Sequence, residues 1–246
     1  MEREYNQQYT TEEFESFMKA MKGMSDMLRS EKPDYIFAPV LGSVPLVDVL
    51  SIIDRHFPLE NVEYPPNSSR FLNREELIDK WYSNFLNANF TGRKMSIACV
   101  DEVISGSSAT KGYKEFEKVL YNLGRERGES LERKINYKVF GVGERPNGKR
   151  NRGFTKLVNR KQAKVFETKK IITADNSLLN PIRLKKGEFN PQGRQTYLPE
   201  IEFVSYPQEY LSLLYNVATH LGVDPDQVSP KNIVKMQESL EKYLRD

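Results

Sequence analysis

Cysteine is almost absent. Cys99 is the only one in 246 residues, so no internal disulfide can form and a reducing compartment fits the chain. Set in an apolar run, its thiol reads as inert core, because burial raises a thiol's pKa. Histidine is nearly as scarce, with two residues, which leaves no His/Cys zinc cluster. No apolar run approaches the roughly 18 residues of a membrane span, so no membrane partner is expected. The start, Met1-Glu2-Arg3-Glu4-Tyr5, has neither the basic beginning nor the apolar centre of a signal peptide. A cytoplasmic protein is the expectation. No G-x-x-x-x-G-K-[ST] is present and no G-x-G-x-x-G follows a strand, which argues against nucleoside triphosphatase and dinucleotide sites.

What remains is a chain of 29% charged and 38% apolar residues, the balance of a folded protein, not a disordered one. Its length suffices for one well-buried α/β core plus an appendage. The stretch Met95 to Thr110 organises the reading. Ile97 to Val100 is a short apolar run, as in a strand buried on both faces. Asp101 and Glu102 follow, then Val103 and Ile104, then the small residues Ser105, Gly106, Ser107, Ser108, Ala109 and Thr110. Tyr113, Phe116, Leu120 and Leu123 then keep helical spacing, with Gly124 placed as a stop. A helix start offers unpaired N–H groups and a positive dipole end, and hydroxyls add donors, so the turn can cradle a phosphate. The two carboxylates can hold sugar hydroxyls or, through water, a magnesium ion.

At these residues the chain resembles the type I phosphoribosyltransferase family, over roughly positions 30 to 180. Val100-Asp101-Glu102-Val103-Ile104 follows the family's pattern, and Ser105-Gly106-Ser107-Ser108 is similar to its hydroxyl-Gly-x-hydroxyl segment, one residue closer to the acids. A second motif precedes it: an apolar strand, Tyr35 to Val40, runs into Leu41-Gly42-Ser43-Val44-Pro45. Gly42, Ser43 and Pro45 resemble the family's pyrophosphate loop, with Leu41 where many members carry a basic residue. The resemblance implies an α/β fold, a mainly parallel open sheet flanked by helices. It implies that Asp101 and Glu102 bind ribose hydroxyls and that Ser105 to Thr110 bind the 5′-phosphate of phosphoribosyl pyrophosphate. It also implies that Leu41, Gly42 and Ser43 face pyrophosphate, that magnesium takes part, and that a base or other acceptor receives the ribosyl phosphate. The alternative is a regulator or accessory subunit of the same fold, with reduced chemistry, that binds a nucleotide or nucleic acid.

Other segments carry weaker expectations. Residues 10 to 30 read as a helix capped by Thr10 or Thr11, with Phe14, Phe17, Met18 and Met21 on its apolar stripe. Glu60 to Tyr64 reads as a strand and residues 73 to 86 as a helix, with Trp81 packed on the sheet. In the resembling family a loop in this interval closes over substrate, which makes Arg70 a candidate contact. Residues 134 to 143 read as a strand, and 163 to 168 with 169 to 174 as one or two more, ending at Asp175, a candidate base or ribose contact. Between Arg145 and Lys164 stand eight basic residues and no acid, so the rest of a chain of total charge +3 carries −5. That interval reads as a solvated loop or as a funnel for a polyphosphate or nucleic acid. Residues 183 to 200 have the composition of a linker or arm. Two amphipathic helices follow, near Pro207 to Leu221 and Pro230 to Leu244, suited to covering a sheet edge, forming a homodimer or docking a protein. The expected division is 1–185 for the α/β domain and 186–246 for arm and helical pair.

Overall fold

Helix α1 (Thr11–Glu31) starts where Thr10 and Glu13 close a capping box. The Thr10 hydroxyl accepts from the Glu13 amide at 3.2 Å, and the Glu13 carboxylate accepts from the Thr10 amide at 2.7 Å. Its stripe of Phe14, Phe17, Met18, Met21 and Met24 is buried. The computed structural model describes residues 9–245 apart from 69, 145–149, 175–177, 179–181 and 204.

Five strands form the sheet: β1 (Tyr35–Phe37), β2 (Val62–Glu63), β3 (Met95–Glu102), β4 (Ile135–Glu144) and β5 (Ala163–Thr168). They lie in the order β2-β1-β3-β4-β5, and every pairing is parallel. The helices between them are α2 (Val44–Ile53), α3 (Arg74–Asn89), α4 (Ser107–Arg127) and α5 (Arg152–Asn159). The chain leaves β1 toward one edge and leaves β3 toward the other, so right-handed crossovers put α2 and α4 on opposite faces. Accordingly α1 packs with α2 and under β4 and β5, while α3 and α5 pack against α4. The fold is thus α/β with an all-parallel five-stranded sheet between helices.

Phe37 at the centre of the sheet meets Trp81, Phe85 and Phe116 edge-on, with centroids 4.9 to 5.9 Å apart. This aromatic layer joins β1 to α3 and α4, and Trp81 packs there as expected. Cys99 is buried beside it, and burial pushes its thiol well up.

Four expectations need correction. Residues 169–174 are not a strand: β5 loses its partner at Glu144–Thr168, and the chain turns into a short 3-10 segment, Ile172–Ala174. The described part of the basic interval is not a loop but contains α5. Asn151 caps the Gly153 and Phe154 amides at 2.8 and 3.3 Å, and Phe154 and Leu157 bury one side of the helix. Phe154, Leu157 and Val158 are few among so many cations, which hid that periodicity. Where composition suggested a linker, β6 (Ile182–Phe189) and β7 (Gln195–Phe203) pair as an antiparallel hairpin. The hairpin is joined to the loop after β2 through Tyr197, whose amide donates to the Arg70 carbonyl and whose carbonyl accepts from Leu72. Helix α4 also runs past Gly124 and stops at Gly128, in the left-handed region at φ +67°.

The C-terminal helices α6 (Gln208–His220) and α7 (Asn232–Leu244) resolve one choice the sequence left open. They pack on α2, and α7 also packs on α3 and β2, covering the β2 edge of the sheet. Ser239 Oγ accepts from the Tyr64 amide at 3.0 Å and donates to Glu63 Oε2 at 2.6 Å, while the Tyr243 hydroxyl donates to Glu63 Oε1 at 2.8 Å. Among the described residues no helix is long and apolar enough to cross a membrane.

Candidate functional site

The strand order places a switch point between β1 and β3, where open parallel sheets bind ligands beyond their carboxyl ends. Two turns leave the sheet there. One follows β1 through Leu41, Gly42 and Ser43 into α2, and its Val40–Leu41 peptide bond is cis. The other follows β3 through Val103 to Gly106 into α4. About sixty residues of sequence separate their motifs, and one hydrogen bond joins them: Ser43 Oγ donates to Asp101 Oδ1 at 3.2 Å, in a buried setting. The same oxygen accepts from the Glu102 amide at 2.9 Å. Glu102 turns toward Gly42, where an added Cβ would stand 3.2 Å from its Oε2. The first turn can approach this carboxylate so closely because position 42 has no side chain.

The second turn opens α4 with Gly106 at φ +76°. Ser107 N–H donates to Ser105 Oγ at 3.3 Å, and Thr110 N–H and Oγ1–H both donate to the Gly106 carbonyl at 3.0 and 2.7 Å. The amides of Ser108 and Ala109 have no acceptor among the described residues. Ser105 and Ser108 are exposed, Ser107 is half-buried, and Ala109 and Thr110 are buried. Helix α5 supports the turn from behind. The Asn151 amide donates to the Ser105 carbonyl at 2.9 Å, and the Phe154 ring occupies the space beside Gly106.

Both acids carry raised pKa values because burial removes water from the charged form. Asp101 is pushed up to about 6, with the Glu102 amide and Ser43 hydroxyl pulling down. Glu102 is pushed up to about 8 by burial, and the neighbouring Asp101 charge raises it further. The Thr173 hydroxyl lies beside Glu102 and pulls the other way. Even so, Glu102 Oε1 and Thr173 Oγ1 are buried without a partner at hydrogen-bonding geometry. Buried oxygens left unpaired call for a partner, and a hydroxyl-bearing ligand would supply one.

Scanned against protein-family models and curated proteins, the chain matches none.

The raised pKa values have a consequence for stability. A carboxyl whose folded pKa exceeds its unfolded one stabilises the fold below the unfolded pKa, and that contribution is lost as pH rises through the folded value. Stability is therefore expected to fall as pH climbs through about 6 for Asp101 and about 8 for Glu102. Each pKa unit corresponds to about 1.4 kcal/mol. Glu102→Gln should flatten the upper part of that decline, read as melting temperature against pH. A slope between neutral pH and roughly pH 9 identical to that of the unaltered protein would contradict it.

The structure brings together the residues of both motifs but not every other candidate. Arg70 is exposed, and no hydrogen bond or ion pair joins it to either turn among the described residues. Arg74, on the same approach, is committed to Asn67, donating to its carbonyl and side-chain oxygens at 3.1 and 3.0 Å. Asp175 lies outside the described residues. Thr173 was missed; its only trace in the sequence is a hydroxyl at the end of an apolar pair, Ile171-Ile172. Leu41 is half-buried and packs against the core, so it brings no charge to its turn.

Asp101 and Glu102 are oxygen donors suited to magnesium. No third acid, histidine or cysteine converges with them among the described residues. A hydrated ion held by two carboxylates and by ligand phosphates fits that donor set.

Proposed function

We propose that the two turns bind a ribose 5-phosphate unit, as in a divergent phosphoribosyltransferase-like protein acting on phosphoribosyl pyrophosphate. The observation that carries this reading is the Ser43–Asp101 contact. It gathers a Gly-Ser turn, two acids and a helix start with free amides at one switch point. Asp101 and Glu102 orient the ribose hydroxyls. Burial favours the protonated form of Glu102, which lets it donate to one hydroxyl while Thr173 addresses the same end of the sugar. The amides of Ser108 and Ala109, with the hydroxyls of Ser105 and Ser107 beside them, take the phosphate, while the Thr110 hydroxyl stays on the Gly106 carbonyl.

In the transfer, a nitrogen of the acceptor forms a bond to C1 of the ribose as the bond from C1 to the pyrophosphate oxygen breaks. The proton on that nitrogen is lost to solvent or to the leaving group. A magnesium ion held through water by Asp101 and Glu102 would supply positive charge for the pyrophosphate. The chain's own groups act by placement and electrostatics, holding sugar and phosphate while charge develops at C1. Leu41 favours a second reading in which the ligand is bound and sensed with little turnover, because a charge-assisted contact worth about 1.5–3 kcal/mol is missing from the pyrophosphate side.

Calorimetry with phosphoribosyl pyrophosphate and magnesium tests the site. Asp101→Asn should weaken binding roughly tenfold or more, the scale of one charge-assisted hydrogen bond. Pyrophosphate release with a panel of bases then separates turnover from sensing. Equal affinities for the unaltered protein and Asp101→Asn, or no heat from either, would sink the assignment.

A further inference from the structure

Helix α5 does more than support the phosphate turn. Its residues Arg152 and Lys156, with Arg160 at its end, recur at every fourth position, so they share one face, and all three are exposed. None has an ion-pair partner among the described residues. Arg150 just before them meets Glu167 at 3.7 Å, and Lys161 and Lys164 just after them are exposed as well. Between Arg150 and Lys164 there is no acid at all. The row of three spans roughly 12 Å at the rise of an α-helix. A basic face of this kind, with no aromatic side chain exposed on it, suits a chain of phosphates held by its backbone.

The face is also fixed to the turn. The Asn151 amide binds the Ser105 carbonyl, Phe154 fills the space beside Gly106, and Gly153 lies against Thr110. Arg152 is therefore next to the phosphate turn and Arg160 is farthest from it. Three kinds of group follow in order: acids that seek hydroxyls, free amides that seek one phosphate, and cations that seek further phosphates.

We propose that the site accepts the 3′-terminal nucleotide of an RNA strand. This rests on the ribose phosphate reading above and names a ligand class for it. The terminal ribose offers free 2′ and 3′ hydroxyls to Asp101 and Glu102. Its 5′-phosphate, here a diester, sits on the Ser108 and Ala109 amides. The preceding phosphates of the strand run along Arg152, Lys156 and Arg160. Polarity is set by Asp101, since a phosphate on the 3′ oxygen would meet its carboxylate and be repelled. The same acids favour RNA over DNA, because a deoxyribose terminus lacks one of the two hydroxyls.

Fluorescence anisotropy with short RNA strands, labelled at the 5′ end and ending in either a 3′ hydroxyl or a 3′ phosphate, tests this directly. The hydroxyl-ended strand should bind roughly tenfold more tightly, and a DNA strand of the same sequence should fall between or below. Lys156→Glu/Arg160→Glu should weaken both RNAs and reduce the dependence of log K on log salt by roughly 0.7 for each phosphate left without a cation. Asp101→Asn should erase the preference for a free 3′ end while leaving the salt dependence in place. Equal binding of the two RNA ends overturns the proposal, as does binding indifferent to the double charge reversal. Phosphoribosyl pyrophosphate binding, measured on the same charge-reversed protein, separates the two readings. If that heat is retained while RNA shows no preference for its end, only the RNA assignment fails. If both are missing in the unaltered protein, the ribose phosphate site fails with it.

Discussion

Replacing Asp48 by alanine is expected to lower the free energy of unfolding by about 3–5 kcal/mol, because it strands two buried donors and one part-buried amide at roughly 1–3 kcal/mol each. Asp48 projects from α2 among Val47, Val49 and Leu50 and is 2% exposed. Its Oδ2 accepts from the Tyr210 hydroxyl at 2.5 Å. Its Oδ1 accepts from the Lys231 amide at 3.1 Å and from Asn232 Nδ2 at 2.5 Å. Asn232 Oδ1 in turn accepts from the Tyr64 hydroxyl at 2.5 Å. One carboxylate thus ties both C-terminal helices to the helix that begins beyond Ser43. Burial pushes its pKa up to about 6 against the pull of those donors. By the sign established for Asp101, ionising it costs stability, so the fold weakens as pH rises through about 6 while the hydrogen bonds to the carboxylate remain. Asp48→Asn retains the two bonds to Oδ1, and the Tyr210 hydroxyl can rotate to accept from the new amide. That variant should cost far less than alanine and remove this part of the pH dependence. Urea denaturation at neutral pH measures the difference, and limited proteolysis should cut Asp48→Ala first between the hairpin and α7. Coincident denaturation midpoints for Asp48→Ala and the unaltered protein would contradict the clasp.

Why Asp48 was passed over in the sequence, while Asp101 was not, shows what residues alone can reveal here. Asp101 stands beside a second acid at the end of an apolar run, in an order of residue types that has a chemical meaning. Asp48 is a single charged residue inside a mostly apolar helix, and its three donors come from positions 210, 231 and 232, which only the folded chain brings near. Alternating strands and helices were legible because each buries a face with its own period. The length of α4 was not, since Gly124 looked like a stop. Inside the helix that glycine admits the Glu129–Leu131 backbone, which an added Cβ would contact at 2.6 Å from the Glu129 carbonyl. The hairpin β6–β7 was hidden by its polarity. Its cross-strand pairs, such as Lys185–Glu200 at 2.7 Å, are charged, and so it read as linker. Within the site, the residue types were readable from local order. The contact between Ser43 and Asp101 was not, because it depends on which strands are neighbours.

Gly106→Ala should both destabilise the fold and dislodge the phosphate turn, and the two effects share one cause. Gly106 sits at φ +76°, and a Cβ there would come within 2.7 Å of Phe154 Cβ and Cδ1. A left-handed conformation costs a non-glycine residue about 1–2 kcal/mol, and overpacking adds typically about 1–3 kcal/mol. The expected loss of about 2–5 kcal/mol is comparable to that for Asp48→Ala, but its location is different. Relief by moving the turn displaces the Ser108 and Ala109 amides. Relief by moving Phe154 lifts α5 from the turn and strains the bond from Asn151 to Ser105. Ligand affinity should therefore drop in Gly106→Ala even at temperatures where the protein remains folded, whereas Asp48→Ala acts on affinity mainly through loss of folded protein. A double-mutant cycle with Phe154→Ala isolates the steric part. Phe154→Ala alone costs about 3–5 kcal/mol for a buried aromatic. In its background the added methyl has room, and the Gly106→Ala penalty should shrink to the backbone component. Strict additivity of the two substitutions, measured by urea denaturation, would mean that α5 does not brace the turn, and the route from the basic face to the phosphate amides would lose its physical link.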